Sequence, residues 1–222
     1  MESASNTKDS FDFSKLSARD RYKLLIGSVV PRPIAWVTTV DEKGRPNAAP
    51  FSFFNCLSSD PAILALGVEN HEDLRFKDTG HNIRVTEEFT VNIVDFANLH
   101  PMNTTAVNFP SDVDEITAAG LTMIPGEFVN CPQIAEAPIR LECKRHVTLN
   151  IGKSREIVLG EVLAMHARPG LVNDRFHVDA AALDALGRMG GHGYCRSFET
   201  FDLATPSEAE WRASQQPKAM AL

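Results

Sequence analysis

The sequence is short of several things. No apolar run approaches the roughly 18 residues a membrane-crossing helix needs, and the first residues, MESASNTKDSFDF, are polar with no apolar stretch of a secretory leader. A soluble, cytoplasmic protein with no membrane contact is expected. Cysteine is sparse. Cys56, Cys131, Cys143 and Cys195 stand singly, with no CxxC and no zinc spacing, which excludes a zinc ribbon and a disulfide scaffold and leaves free thiols. Lys and Arg number 22 against 29 Asp and Glu, for a net charge of −7. With no basic run, a nucleic-acid partner is not expected. The glycine-rich GRMGGHG does not follow a strand in the order GxGxxG, so a Rossmann cofactor site is excluded. No triad, carboxylate pair or metal motif shows in the spacing. Asp112, Asp114 and Glu115 lack the Gly-centred spacing of a calcium loop and read as solvated acids.

What is present is a core-forming chain. Of 222 residues, 43% are hydrophobic and 13 are Phe, enough for one sizeable domain. The expected organisation is a flexible arm over 1–15, a single domain over 16–205 and a polar tail over 206–222 with a lone Trp211. Ser17 reads as an N-cap, with Asp20 three residues on. Tyr22, Leu25 and Ile26 make an apolar stripe, and Gly27 ends that helix. Pro31 and Pro33 then hold Arg32 in a rigid extended entry, where it either reaches a phosphate or a carbonyl or stays on the surface.

The stretch that organises the chain is Pro31 to Asn55. Ile34 to Val40 reads as a strand. Asp41 to Gly44 is a turn, and Asn47 to Asn55 the returning strand. Pro50 removes a donor in the middle of that return, so the ladder breaks there or lies at an edge. On periodicity alone the Phe residues are either core or the wall of a ligand site. Ala62 to Val68 is a buried strand. Asp78 reads as the N-cap of a short helix, whose exposed amides beside Lys77 and Thr79 suit an anion. Glu88 to Asp95 alternates like a half-buried strand, and Asn98 to Asn108 like a broken helix. Pro125 to Pro138 is irregular. Ile139 to Leu149 and Ile157 to Ala167 form a second hairpin, and a short helix lies near Asp179 to Leu186. His146 and His166 on that hairpin read as satisfied or solvent-facing side chains. Strands dominate, with antiparallel pairing and short helices between them. The expected fold is mainly β, a Greek-key or split barrel with short flanking helices.

PRPIAWVTT, DEKG and PNAAPFSFFN, followed by Lys77-Asp78-Thr79, Gly160-Glu161-Val162 and Arg188-x-Gly190-Gly191-x-x-Tyr194, resemble the flavin reductase-like family, the FMN-binding split barrels. The resemblance runs in motif order from Tyr22 to Phe201. It implies FMN as cofactor and NADH or NADPH as co-substrate, with hydride passing from the nicotinamide to the flavin. No catalytic side chain is then required, because the cofactor carries the chemistry. It implies backbone contacts from Ala49, Pro50, Phe51 and Ser52 to the pyrimidine edge, with Trp36, Val37 and Thr38 along the ring on the adjacent strand. Phe53 or Phe54 would wall the ring, Ser52 and Asn55 would bond ribityl or phosphate oxygens, and Lys77 and Thr79 would hold the phosphate with Asp78 as cap. His192 becomes a candidate near the ring by position. The resemblance also implies a homodimer with the flavin at the subunit interface and, as a possible partner, a monooxygenase component. An NAD(P)H-dependent flavin reductase and a flavoredoxin-like carrier without NAD(P)H activity both fit. A purely structural barrel fits the periodicity alone.

Overall fold

The computed structural model describes residues 9–110, 113–152, 155–197 and 199–215. After a 3-10 turn at Phe13–Lys15, Ser17 caps helix α1 (Ala18–Ser28). Its oxygen accepts the Asp20 amide at 3.1 Å, and its hydroxyl donates to the Asp20 carboxylate at 2.6 Å. The helix passes through Gly27 and ends a residue later, where the Val29 amide reaches the Leu25 carbonyl. Gly27 is thus not the stop. Of the expected apolar stripe only Ile26 is buried, while Tyr22 and Leu25 stay exposed.

Strand β1 (Arg32–Pro33) leads into β2 (Ala35–Val40). In the turn that follows, Asp41 Oδ1 accepts the Lys43 and Arg45 amides, each at 2.8 Å, and Gly44 takes φ +76°, a conformation open to glycine at little cost. The return is not one strand but two, β3 (Pro46–Phe51) and β4 (Phe54–Ser59). The break falls at Ser52–Phe53 rather than at Pro50. Pro50 is tolerated inside β3 because β3 is an edge strand. The Ala48 amide points away from β2, to Glu115 Oε2 at 3.3 Å, and the two-residue period puts the missing Pro50 donor on that same open side. Next come β5 (Ala62–Glu69), α2 (Asp78–Thr86) and β6 (Glu88–Ile93). After these lie α3 (Leu99–Thr104), α4 (Glu115–Ala118), β7 (Met123–Ile124) and β8 (Gln133–Ile134). The long hairpin is β9 (Ile139–Ile151) with β10 (Arg155–Ala167). The chain finishes with α5 (Ala180–Leu183), β11 (Leu186–Arg188), β12 (Tyr194–Arg196) and α6 (Glu208–Ser214). Trp211, in α6, is exposed.

The main sheet has seven strands in the order β3-β2-β6-β9-β10-β5-β4, every neighbour antiparallel. Its two edges, β3 and β4, are consecutive in the chain. The sheet therefore curls until its edges meet at Ser52–Phe53, which makes a split barrel. A hydrogen bond from the Gly67 amide to the Phe53 carbonyl, 2.7 Å, fixes that corner. A Cβ on Gly67 would stand 2.9 Å from the Phe53 Cβ, so the close approach needs glycine.

Two apolar clusters flank β2. Ala35 and Val37 join Leu66, Val68, Ile83, Phe89 and Val91 in one, while Ile34 and Trp36 join Val94, Met102, Ile134 and Leu186 in the other. β6 is likewise buried on both faces over Phe89 to Asn92, not half-buried as its alternation implied. The smaller sheet β1-β11-β12 packs onto the second cluster, to which Tyr194 contributes.

Two carboxylates hold much of the segment from Pro125 to Pro138: Glu88 accepts the amide and the side chain of Asn130, and Glu142 does more. Glu142, fully buried, accepts the Glu127, Phe128 and Val129 amides at 2.7–3.1 Å, together with Gln133 Nε2 and His166 Nε2. Burial pushes this carboxyl up, but the three amides and His166 outweigh it and hold it below the ordinary glutamate value. His166 is thus a satisfied structural partner.

Candidate functional site: a groove on the open side of β3

α2 is fastened across the first hairpin by its polar side chains. Asn82 Nδ2 donates to Thr39 Oγ1, and Asn47 Nδ2 on β3 donates to Thr79 Oγ1, both at 3.0 Å. On the other side Arg84 pairs with Glu156, a carboxylate buried to 1% exposure, and stacks 4.4 Å above Phe76. Gly80 allows the close packing, since a Cβ there would lie 2.6 Å from Glu156 Oε1. These contacts aim the start of α2 at β3. The N-cap is Lys77, whose side chain makes no capping bond, and Asp78 is the first helical residue rather than the cap. The amides of Asp78, Thr79 and Gly80 donate to no group among the described residues. The helix start therefore presents unpaired donors and a positive dipole end. Lys77, half-buried, forms no ion pair among the described residues.

Lys77, Asp78 and Thr79 line one end of a groove of about 130 Å³, with Asn47, Ala49, Pro50, Phe51 and Glu115 along its floor. The segment Thr105 to Phe109 forms the facing wall. Beyond Phe51 the groove meets a hollow of about 250 Å³ bounded by Pro50, Phe51, Ser52, Arg32, Arg188 and Tyr194. Arg32 is no surface side chain; it is 7% exposed and bonded to three carbonyls. Gly190 of the glycine-rich loop lies against α1, where a Cβ would come 3.2 Å from the Gly27 Cα. His192 is exposed and lines neither space.

Of the residues singled out from sequence, Ala49, Pro50, Phe51, Ser52, Lys77, Asp78 and Thr79 come together here. Trp36, Val37 and Thr38 do not. All three have no exposed surface, because β2 lies between β3 and β6 and both its faces are covered. The Trp36 indole donates to Thr105 Oγ1 at 2.8 Å, and the Thr38 hydroxyl donates to the Pro132 carbonyl. Phe53 and Asn55 lie around the corner, on an apolar hollow shared with Phe54, Ala65, Ile151 and Ile157. Phe53 precedes β4, and it and Phe54 line the same hollow. Arg155 sits 4.4 Å above the Phe53 ring.

Sequence reasoning missed Glu115. Read as a solvated acid, it is instead buried at 8% exposure and lines the groove. Burial, with Asp78 and Asp114 nearby, raises its carboxyl above the ordinary glutamate value despite the Ala48 amide. Asp114 caps α4 through its carboxylate, and Glu115, the first helical residue, accepts the Ala48 amide of β3; no local sequence signal marks that contact. Asp112 lies outside the described residues. Among the described residues no cluster of His, Cys, Asp and Glu can hold a metal. No helix of the described residues is long and apolar enough to cross a membrane. Burial drives the Cys131 thiol up to about 12 and raises Cys143 further, which leaves both inert.

The chain as a whole has relatives. Residues 26–181 match the flavin reductase like domain family. An uncharacterized protein of Deinococcus radiodurans is 43% identical over 215 residues, spanning 94% of each chain. Among solved structures, nitrilotriacetate monooxygenase component B from Bacillus cereus superposes with a TM-score of 0.86 at 33% identity, over 90% of this chain and 100% of that one. The 2-nitrobenzoate 2-nitroreductase of Pseudomonas fluorescens gives 0.83 at 34% identity, over 90% and 98%. The chain belongs to the flavin reductase like domain family.

Proposed function

With that membership as premise, we propose that this chain is an FMN-binding oxidoreductase, an NAD(P)H-dependent flavin reductase that holds its flavin along the open side of β3. The observation that carries the reading is the meeting of Lys77, the Thr79 hydroxyl and the unpaired amides of Asp78 and Thr79 at one end of that groove. A dianionic phosphate matches this donor set. Asn47 accounts for one Thr79 lone pair, which leaves the hydroxyl proton to donate outward. The backbone of Ala49 to Ser52 provides a flat polar edge, and Phe51 an apolar floor. Once bound, the flavin supplies the two-electron chemistry. The residues here hold, orient and shield it, which is why the groove needs no acid–base pair.

A homodimer is part of the reading. The hollow of Phe53, Phe54, Ile151 and Ile157 adjoins a second apolar one of Leu25, Val29, Pro31 and Pro33, of about 240 and 340 Å³. An apolar face of this extent marks a contact surface, and a second copy of the chain fits it. Cytoplasmic residence and a monooxygenase component as the consumer of reduced flavin complete the proposal.

The second reading, an electron carrier without nicotinamide activity, is favoured by the same absence of an acid–base pair. Two measurements decide. Purified protein should release FMN, identified by mass. It should then oxidise NADH or NADPH when FMN is supplied. Protein that neither carries nor takes up FMN removes the proposal. Protein that holds FMN but is inert to both nicotinamides is a carrier.

A further inference from the structure

The hollow beyond Phe51 carries charge that the phosphate end does not explain. Two guanidiniums line it, Arg32 and Arg188. Arg32 donates through Nη1 to the Ile26 carbonyl at 2.6 Å and the Val29 carbonyl at 2.9 Å, and through Nη2 to the Met189 carbonyl at 3.0 Å. Arg188 lies 4.5 Å over the Tyr194 ring and gives one hydrogen bond, 2.7 Å, to the Gly191 carbonyl. Neither has a carboxylate partner among the described residues. By contrast Arg84, Arg145, Arg155 and Arg168 each pair with one, while Arg21 and Arg140 bond a lone carbonyl but do not line the hollow. Burial, and the Arg188 charge beside it, depress the Arg32 guanidinium below its ordinary value. It remains a cation all the same.

Two like charges on one wall, in a chain of net charge −7, are stabilised by an anion placed between them. Carbonyl dipoles fix Arg32. The Tyr194 ring fixes the plane of Arg188 and leaves most of its donors uncommitted. A planar fork of that kind matches a carboxylate or a phosphate oxygen pair. We propose that this hollow is an anion subsite, which takes the carboxylate or phosphate of the small molecule exchanging electrons with the ring bound along β3. The proposal rests on the flavin reading for its role, but the subsite itself stands on the two arginines. It selects anionic donors or acceptors over neutral ones of the same shape.

The test uses the full chain loaded with FMN and two matched pairs of probes, followed by the change each causes in flavin absorbance. Benzoate against benzamide is the carboxylate arm. Reduced nicotinamide mononucleotide against reduced nicotinamide riboside is the phosphate arm. Discrimination by tenfold or more in at least one arm is expected, of the size a charge-assisted bond gives. Arg188→Gln should abolish it by weakening the charged member alone, and Arg188→Lys should keep part of it. Equal affinity within both pairs, or discrimination that survives Arg188→Gln, overturns the subsite. Arg32 is unsuited as the variant because its carbonyl bonds tie α1 to β11. Should the protein not take up FMN, the same pairs are titrated by calorimetry. Charge discrimination lost in Arg188→Gln then upholds the subsite while the flavin reading falls, and its absence rejects the subsite as well.

Discussion

β2 and β3 are neighbours in one hairpin, a single hydrogen-bond ladder apart, and they have opposite fates. β2 is sealed. From Ala35 to Thr39 no surface is exposed, and even its polar atoms, such as the Trp36 indole and the Thr38 hydroxyl, are consumed by the protein. β3 pairs on one side only and keeps its other side for the groove. The pair teaches that strand content does not decide which backbone stays accessible; position in the sheet does. The strand whose ladder is unfinished keeps one side open.

The contrast can be broken most directly at Trp36. Trp36→Ala empties a fully buried site and removes the indole donor from the Thr105 hydroxyl, which keeps its bond to the Met102 carbonyl. It should cost about 3–5 kcal/mol of stability, read from the urea midpoint, while the protein that stays folded keeps its flavin affinity. A variant of normal stability that loses flavin would put β2 in the site. Lys77→Ala should do the reverse. Flavin affinity should fall roughly ten- to a hundredfold, about 1.5–3 kcal/mol for a charge-assisted bond, with the unfolding midpoint unmoved. An unchanged dissociation constant would detach Lys77 from the phosphate.

A subtler contrast is set by two buried glutamates with opposite responses to pH. The folded-state pKa of Glu115 is raised, so its contribution to stability is present below the ordinary carboxylate value and lost as pH rises through the raised one. That of Glu142 is lowered, so its contribution is present above the ordinary value and lost on acidification through the lowered one. Relative to wild type, Glu115→Gln should therefore improve as pH goes from 4 to 7, and Glu142→Gln should worsen. Parallel slopes would contradict one of the two environments. The smallest effect is expected at Asn55, exposed on β4, where its Oδ1 accepts only the Cys56 amide. Asn55→Ala should change stability by less than about 0.5 kcal/mol and leave flavin affinity within error.

Much of this was legible in the chain. The hairpins, the turn at Gly44, the buried run of β5 and the helix after Lys77 follow from local pattern, which is sufficient where neighbours in sequence are neighbours in space. Motif order pointed to the family that residues 26–181 match. What local pattern misread was layering. β-branched residues at 37 to 40 look the same whether a strand is second or last in its sheet, so nothing in the pattern signals that Trp36, Val37 and Thr38, which the resemblance sets along the ring, are fully buried. Pro50 carried the right warning of an edge, but the break it seemed to announce lies two residues on, where the barrel turns its corner. Glu115 was misjudged for a similar reason. Its burial depends on α4 folding back on β3, and nothing within five residues of it encodes that contact.

That corner constrains any redesign. Ser52 faces the polar cavity and Phe53 the apolar one, a peptide bond apart, and the hinge between them is pinned in part by a residue with no side chain at 67. A methyl group introduced there would displace both walls together. An engineer reshaping one of these spaces through this position would reshape the other in the same stroke, for the two share one adjustable joint.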